Sequence, residues 1–141
     1  MRAVLQRVTS ACVTVDGQVV GQLDEPGLVV LLGVTHGDGP DQIAWMVRKI
    51  RDTRIMRDEA SVADLDAKVL VVSQFTLYGD ARKGRRPTWQ AAAPGEVSEP
   101  IYDAVCEGLR AAGTHVETGV FGAEMSVALV NDGPLTVLLE Q

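Results

Sequence analysis

The sequence contains few of the side chains that commonly carry catalysis, with two histidines and two cysteines among its 141 residues. Neither His36 nor His115 has a cysteine or carboxylate partner at the spacing of metal ligands. A serine triad would need one of them as its base, and no G-x-S-x-G elbow occurs. The glycines of Gly33–Gly39 lack the lysine of a P-loop and the spacing of a dinucleotide fingerprint. We therefore expect no metal and no cofactor.

The two cysteines and the apolar runs argue against further classes of protein: disulfide-rich, membrane-spanning and exported. Cys12 and Cys106 stand far apart and form neither a disulfide framework nor a metal pair, so we expect two reduced core residues. The longest apolar run, Leu28–Val34, is far shorter than the ~20 residues that a membrane helix needs. Gln6 and Arg7 interrupt the apolar residues at the start, unlike a signal peptide. We expect a cytoplasmic protein with no membrane contact.

Length and composition predict one globular domain, residues 1–141. Hydrophobic residues make up 46% and charged residues 23%, which excludes a disordered, collagen-like or coiled-coil chain. The net charge of −6 argues against bulk adhesion to nucleic acid. Four cations nevertheless lie within five positions, where they can face phosphate groups: Arg82, Lys83, Arg85 and Arg86.

The first half of the chain alternates as strands do. The first fifteen residues predict strands, and the Asp16-Gly17 turn predicts a hairpin to Gln18–Leu23. Leu28–Val34 is typical of a strand buried on both faces. Apolar residues then recur at helical spacing and predict one amphipathic helix: Ile43, Met46, Val47 and Ile50.

The second half predicts a second main helix between shorter strands. Arg54–Arg57 is interpreted as a short strand, Asp58–Ala67 as a polar connection, and Lys68–Val72 as a buried strand. Pro94-Gly95 and Pro100 bracket a second helix, whose apolar stripe is Ile101, Val105 and Leu109 and which ends at Gly113. Three strands complete the chain: Thr114–Glu117, Met125–Val130 and Leu135–Leu139, the last two joined by Asn131-Asp132-Gly133-Pro134.

Two polar segments carry the functional signal. Ser73-Gln74-Phe75-Thr76 follows an apolar strand, and such a strand end can present backbone N–H and hydroxyl groups to a ligand. A polar strand end that caps itself explains the segment equally well. By turn statistics alone, Asn131-Asp132-Gly133-Pro134 is a tight turn between antiparallel strands.

Together these segments resemble the signatures of the D-aminoacyl-tRNA deacylase family, SQxT and NxGPxT. Leu5–Val8, Arg82–Pro87 and Gly119–Met125 are also similar to that family, in the same order along the chain. One stretch departs from it. Members usually carry a longer Asp-x-x-Gly-Lys-Met-Asn-x-Ser stretch before the SQxT strand, whereas Asp58–Ala67 is shorter and lacks Met-Asn. Contacts from that loop to the tRNA are therefore not carried over.

The resemblance implies an α/β fold of three layers, α/β/β, with mixed and antiparallel sheets and two main helices. It also implies a homodimer that hydrolyses the ester joining a D-amino acid to the terminal adenosine of tRNA. Such an ester is already activated, so the enzyme needs only to position a water and stabilise an oxyanion. The catalytic segment would comprise Ser73, Gln74, Phe75 and Thr76, acting mainly through backbone N–H groups.

The other roles are also implied by the resemblance. The peptide between Gly133 and Pro134 is expected to be cis and to enter the partner subunit's site, where its carbonyls bind the substrate's amino group and exclude the L form. Arg7 would fix the orientation of this peptide, and the four cations would contact tRNA phosphates. The adenosine pocket would comprise Phe121, Gly122, Ala123 and Met125, although core packing explains Phe121 and Met125 equally well.

Glycyl-tRNA-Ala is a second expected substrate of such a deacylase. Two alternatives to a deacylase stay open at this point. The chain could instead be a non-catalytic module that binds tRNA ends, since the fold resembles an editing domain of some archaeal threonyl-tRNA synthetases. It could also be a general esterase with Ser73 or Thr76 as nucleophile, but a threonine hydroxyl needs a neighbouring base and this segment has none. We favour backbone groups assisted by the free ribose hydroxyl of the substrate.

Overall fold

Six strands form one mixed sheet in the computed structural model, which describes residues 1–141. The strands are β1 (Arg2–Val15), β2 (Gln18–Leu23), β3 (Gly27–Gly33), β4 (Lys68–Ser73), β5 (Val116–Thr118) and β6 (Ser126–Glu140). The helices are α1 (Pro40–Asp52), the short α2 (Val62–Leu65) and α3 (Gly95–Ala111), with 3₁₀ turns at Arg57–Glu59 and Phe75–Tyr78. No helix is both long enough and apolar enough to span a bilayer.

The long strand β1 organises the sheet. Its first half pairs antiparallel with β3 and its second half with β2, while β6 follows nearly its whole length along the other edge. Beyond β3, the pairs β3–β4 and β4–β5 are parallel. The hairpin predicted at Asp16-Gly17 is present, and both residues have positive φ.

Strands β3 and β4 form the middle of three layers because successive side chains point to opposite faces. Leu28, Val30, Val69 and Val71 share a core with α1 and α3. The intervening residues pack on the other face against β2 and the second half of β1: Val29, Leu70 and Val72 meet Val13 and Leu23. This arrangement confirms the expected three-layer α/β/β class with two main helices.

The strand predicted at Arg54–Arg57 is wrong. The chain has no strand partner there, and it turns sharply because Asp58 and Glu59 adopt positive φ angles of 57° and 56°. The connection that follows also contains α2, whose N-cap Ser61 exchanges hydrogen bonds with Asp64. A periodic pattern could not reveal a helix of only four residues.

The hairpin turn expected at Asn131-Asp132-Gly133-Pro134 is also wrong. Both flanking segments belong to one strand, β6, because β1 is long enough to pair with each of them. Gln6 pairs with Thr136 and Val8 with Asn131, so two steps along β1 correspond to five along β6. The extra residues leave the ladder as a bulge, which pushes this segment out of the sheet.

The two cysteines are free thiols in different surroundings. Cys106 is buried in α3, as expected. Cys12 is only half-buried, which contradicts the expectation of a core residue, because it alternates with the buried Ala11 and Val13 along β1.

Candidate active site

A cavity of about 580 Å³ opens where β4 ends and α3 begins. This volume lies within the range of small-molecule sites. Apolar side chains dominate the wall, and serine, glutamine and tyrosine add polar groups. The lining residues fall into four segments: Leu32 and Val34; Val72–Phe75; Trp89, Ala92–Gly95, Ser98 and Tyr102; Phe121–Ala123, Met125 and Val127.

The predicted catalytic segment contributes three residues to this wall, namely Ser73, Gln74 and Phe75. Thr76 is exposed and does not line the cavity, and its hydroxyl accepts a hydrogen bond from the Gln74 amide. The Gln74 N–H donates to the Leu32 carbonyl at 2.7 Å. A helical turn leaves its first N–H groups without partners inside the turn. The N–H groups of Phe75 and Thr76 open such a turn, directly after the lining residues Ser73 and Gln74, and neither has a backbone acceptor.

All four residues expected to bind adenosine line the same cavity: Phe121, Gly122, Ala123 and Met125. The Phe121 ring lies 5.8 Å from that of Tyr102, in a tilted arrangement. Phe121 and Met125 also pack against the two cores, on opposite faces of the sheet. Phe121 and Met125 therefore line the cavity and pack against the core at the same time.

Several lining residues were not anticipated from the sequence, above all Trp89 and Tyr102. The short side chains of Ala92 and Ala93 before α3, and Gly95 at its start, leave the space that the cavity occupies, and this run of small residues is the signal that could have indicated this part of the wall. The Tyr102 hydroxyl donates to the Val71 carbonyl at 2.9 Å. Burial raises the pKa of Tyr102 and raises that of Cys106 to about 11, so both stay protonated at neutral pH.

Both histidines lie outside the cavity wall and are exposed. His36 Nε2 is 3.1 Å from the Gln90 carbonyl, and His115 Nε2 is 3.1 Å from a carboxylate oxygen of Glu117. The chain holds no group of three or more His, Cys, Asp or Glu side chains suited to a metal ion. The cavity wall therefore offers hydrogen-bond donors and apolar surface and carries no histidine or carboxylate base.

The bulged Asn131–Pro134, which we call the motif segment, projects from β6. Its Gly133-Pro134 peptide is cis, and both residues are exposed. The Asn131 amide spans the base of the bulge, donating to the Arg7 carbonyl at 2.8 Å and the Leu135 carbonyl at 3.2 Å. No residue of the motif segment lines the cavity of the same chain.

Arg7 fastens the motif segment to the body of the protein. Its Nε donates to the Asp132 carbonyl at 3.0 Å, and its Nη1 donates to the Ile55 carbonyl at 2.9 Å. The Asp132 carboxylate lies 3.1 Å from Arg7 Nε and is also held by the Arg57 guanidinium, whose Nε is 2.9 Å away. These bonds, that of Arg57 foremost, hold the pKa of Asp132 below its usual 3.8.

The four predicted phosphate contacts lie in an exposed segment, residues 81–90, which we call the basic loop. Arg82 is paired with Asp80, at 2.6 Å between Nη2 and Oδ2, and this pairing lowers the pKa of Asp80 to about 2. Lys83, Arg85 and Arg86 form no ion pair. The charge available to a phosphate is therefore nearer three than four.

Comparison with known proteins gives consistent matches. A sequence profile of the family described as D-Tyr-tRNA(Tyr) deacylase matches residues 4–140. Proteins named D-aminoacyl-tRNA deacylase from Thermobifida fusca and Kineococcus radiotolerans are 68% and 64% identical over 140 residues, each alignment covering 99% of both chains. The structure titled "c-Myc DNA Unwinding Element Binding Protein" is 40% identical, with a TM-score of 0.93 and coverage of 100% of this chain and 99% of that one.

A second structure, titled "Structural Analysis of a probable eukaryotic D-amino acid tRNA deacylase", shares the fold at 18% identity, with a TM-score of 0.85 and coverage of 98% and 97% of the two chains. Fold and matches together define an enzyme class, the deacylases that hydrolyse the ester bond of an aminoacyl-tRNA. Within that class, the chain belongs to the D-Tyr-tRNA(Tyr) deacylase family.

Proposed function

We propose that the chain hydrolyses D-aminoacyl-tRNA to a free D-amino acid and tRNA and leaves L-aminoacyl-tRNA intact. Membership of the family supports the reaction. The observation that carries the stereochemical part is the motif segment, whose exposed cis Gly133-Pro134 peptide is fixed by Arg7 on the outside of the subunit. Two carbonyls held in fixed positions can bind the substrate's amino group and exclude the L configuration. A filter that works by excluding one enantiomer has to be rigid.

The chemistry follows from what the cavity wall offers. Terminal adenosine would occupy the pocket formed by Phe121–Ala123 and Met125, which brings its ester to the end of β4. The Phe75 and Thr76 N–H groups would stabilise the tetrahedral oxyanion. The substrate's free ribose hydroxyl would orient the attacking water. No side-chain base is required because the aminoacyl ester is already activated.

The active site would be composite, with each cavity completed by the motif segment of a second copy. Two observations support this arrangement. No residue of the motif segment lines the cavity of its own chain, and β6 is an edge strand that pairs only with β1 and exposes Val127, Val130 and Leu138. An exposed apolar edge strand invites pairing with another chain, and a two-fold axis would complete both sites at once.

Mixing two impaired variants tests the composite site. Ala123→Trp would fill the cavity, and Gly133→Ala would distort the motif segment. A mixed dimer keeps one intact site, so random exchange of subunits should restore about a quarter of wild-type activity. An active monomer in sedimentation, or mixtures that remain inactive after proven exchange, would contradict the arrangement.

The reaction itself is tested with matched D-, L- and glycyl-tRNA in single turnover. We expect hydrolysis of the D form and no detectable hydrolysis of the L form. Glycyl-tRNA-Ala should also be hydrolysed, because glycine lacks the side chain against which the filter acts. Binding of all three without turnover would favour the tRNA-end binding module. Hydrolysis of an activated ester without RNA, with a trapped acyl-serine or acyl-threonine, would favour the general esterase. A tRNA substrate is consistent with a cytoplasmic location of the protein.

A further inference from the structure

Two aromatic side chains at the edge of the cavity are unexplained by the reaction. Phe75 and Trp89 meet edge to face, with ring centroids 5.4 Å apart and an interplanar angle of 78°. Both line the cavity, yet 56% of Phe75 and 41% of Trp89 remain exposed. The proposed mechanism uses only the backbone of Phe75 and nothing of Trp89. Large aromatic surface left open at the edge of a ligand site indicates further contact with the ligand.

The local structure holds Trp89 in place. A Cβ on Gly79 would lie 2.5 Å from the indole ring, so only glycine allows the ring to lie directly on the backbone there. Thr88 and Asp80 exchange backbone hydrogen bonds of 2.9 Å each, and the Trp89 carbonyl accepts from the Ala92 N–H at 3.0 Å. The ring therefore sits on a built support and offers a fixed aromatic surface.

The charge beside this surface indicates what it meets. Trp89 lies near the end of the basic loop, in which Lys83, Arg85 and Arg86 are exposed and form no ion pair, although the whole chain carries a net charge of −6. Stacking rings beside unpaired cations are the combination that binds single-stranded nucleic acid, because each base offers a π-face and each link a phosphate. An acidic peptide would use the cations without needing the rings.

We propose that Phe75 and Trp89 form a stacking platform for the nucleobase immediately upstream of the terminal adenosine, with the basic loop on the adjoining phosphates. This inference rests on the proposed function, since it requires the terminal adenosine to occupy the cavity. It extends the recognised ligand from one nucleoside to at least two nucleotides of an unpaired strand. The platform would stack on any of the four bases, so we expect it to require a base at this position without selecting which one.

A thermodynamic cycle tests the platform. D-aminoacyl-tRNA is compared with D-aminoacyl-adenosine, which lacks every upstream nucleotide, on wild type, Trp89→Leu and Trp89→Phe. Trp89→Leu should raise the KM for the tRNA about tenfold more than the KM for the aminoacyl-adenosine, within the range of one base stacked on an aromatic ring. Trp89→Phe should recover most of that difference. A tRNA abasic at the penultimate position should lose the same factor on wild type, and the two changes should not add.

Fluorescence provides a readout that is independent of turnover. The chain has two tryptophans, so Trp45→Phe, a change in α1 away from the cavity, leaves Trp89 as the sole reporter. Uncharged tRNA should quench this signal, and the tRNA abasic at the penultimate position should not. If Trp89→Leu raised the KM for the tRNA and for the aminoacyl-adenosine equally, the platform would be overturned while the hydrolysis stayed intact. Equal quenching by the intact tRNA and the abasic tRNA would have the same meaning. Dissociation of the dimer by Trp89→Leu would also overturn it, because the rings would then be an interface. A wild type that hydrolyses no D-aminoacyl-tRNA would instead reject the proposed function.

Discussion

The motif segment and the basic loop are both exposed, yet they are held in opposite ways. Side chains of Arg7, Arg57 and Asn131 tie the motif segment to β1 and to the connection after α1. The basic loop is joined at its base by the Asp80–Thr88 hydrogen bonds, and its only ion pair is the local one between Arg82 and Asp80. Exposure alone therefore says little about how rigid a functional segment is.

The difference matches the two tasks proposed for these segments. Rejection of one enantiomer depends on atoms held to within about 0.5 Å, which needs several fixed bonds. Attraction of a phosphate chain acts over a Debye length, about 8 Å at physiological salt, and tolerates movement of the cations. The motif segment is held in its middle by arginine side chains from other parts of the chain, whereas the contacts of the basic loop to other segments lie at its two ends.

We call the bonds by which Arg7 and Arg57 hold the motif segment the clamp. The largest effect is expected from Arg7→Ala, which removes the Arg7 part of the clamp. The change leaves the Asp132 and Ile55 carbonyls without their charged donor, and each such bond contributes about 1.5–3 kcal/mol. We expect a loss of about 2–4 kcal/mol in the free energy of unfolding and a fall of about 100-fold in hydrolysis of D-aminoacyl-tRNA, as for a displaced catalytic group. Urea unfolding and single-turnover rates measure the two losses.

Arg54→Ala is the matched control, since Arg54 is exposed and makes no side-chain hydrogen bond or ion pair. It removes the same charge in the same neighbourhood and should leave both measurements near wild type. Equal behaviour of the two variants would show that Arg7 does not hold the motif segment.

A smaller loss is expected from Gly133→Ala, which alters the motif segment but leaves the clamp. The added methyl would lie 2.5 Å from the Asn131 side-chain oxygen and 2.8 Å from the Leu135 nitrogen, so the carbonyls must shift. Turnover of the D substrate should fall about 10- to 100-fold, with unfolding little changed because Gly133 is exposed.

Thr76→Ala provides the contrast to Gly133→Ala, because Thr76 is exposed and its hydroxyl meets only the Gln74 amide. We expect at most a modest loss of turnover. Complete loss in Thr76→Ala, with a trapped acyl-threonine on wild type, would replace the backbone mechanism by a covalent one.

The clamp should also depend on pH. The folded-state pKa of Asp132 lies below 3.8, so its ion pairs contribute fully above that value and are lost as the pH falls through the folded pKa. Arg57→Gln should raise the midpoint of this titration toward 3.8, because the Arg57 bond is the main cause of the shift. Carbon-13 NMR of the Asp132 carboxyl measures it, and an unchanged midpoint would show that Arg57 does not hold the carboxylate in solution.

Periodicity predicted most of the fold, because buried strands and amphipathic helices repeat their apolar residues at fixed spacing. It could not predict that Met125–Val130 and Leu135–Leu139 belong to one strand. The same turn-forming residues occur where a chain reverses and where a strand bulges. Here the outcome depends on β1, which is distant in sequence and long enough to pair with both halves of β6. The polar end of a buried strand indicated the cavity residue Ser73, and the resemblance indicated Phe121. Trp89 and Tyr102 were not found, since the place of Tyr102 depends on how α3 packs and that of Trp89 on how the basic loop folds over Gly79.

In the basic loop, tRNA binding should respond to charge rather than to exact placement. Arg85→Ser with Arg86→Ser should weaken binding and flatten its salt dependence, by about 0.7 in the log–log slope for each single-strand phosphate that the variant no longer neutralises. Arg48→Ser with Lys49→Ser removes equal charge from exposed positions on α1 and should leave that slope unchanged. Equal slopes in both double variants would make the loop an ordinary solvated surface.

The smallest effect has the opposite sign and concerns Arg82. Because Asp80 neutralises it, Arg82→Gln should weaken tRNA binding less than Arg85→Gln does. Asp80→Asn should free the Arg82 guanidinium while the backbone bonds to Thr88 keep the loop closed at its base. We therefore expect Asp80→Asn to tighten tRNA binding and to steepen the salt dependence by up to about 0.7 in slope, the value for one additional neutralised phosphate. Weaker binding in Asp80→Asn would mean that the ion pair positions Arg82 for phosphate, and that the basic loop, like the motif segment, works through fixed geometry.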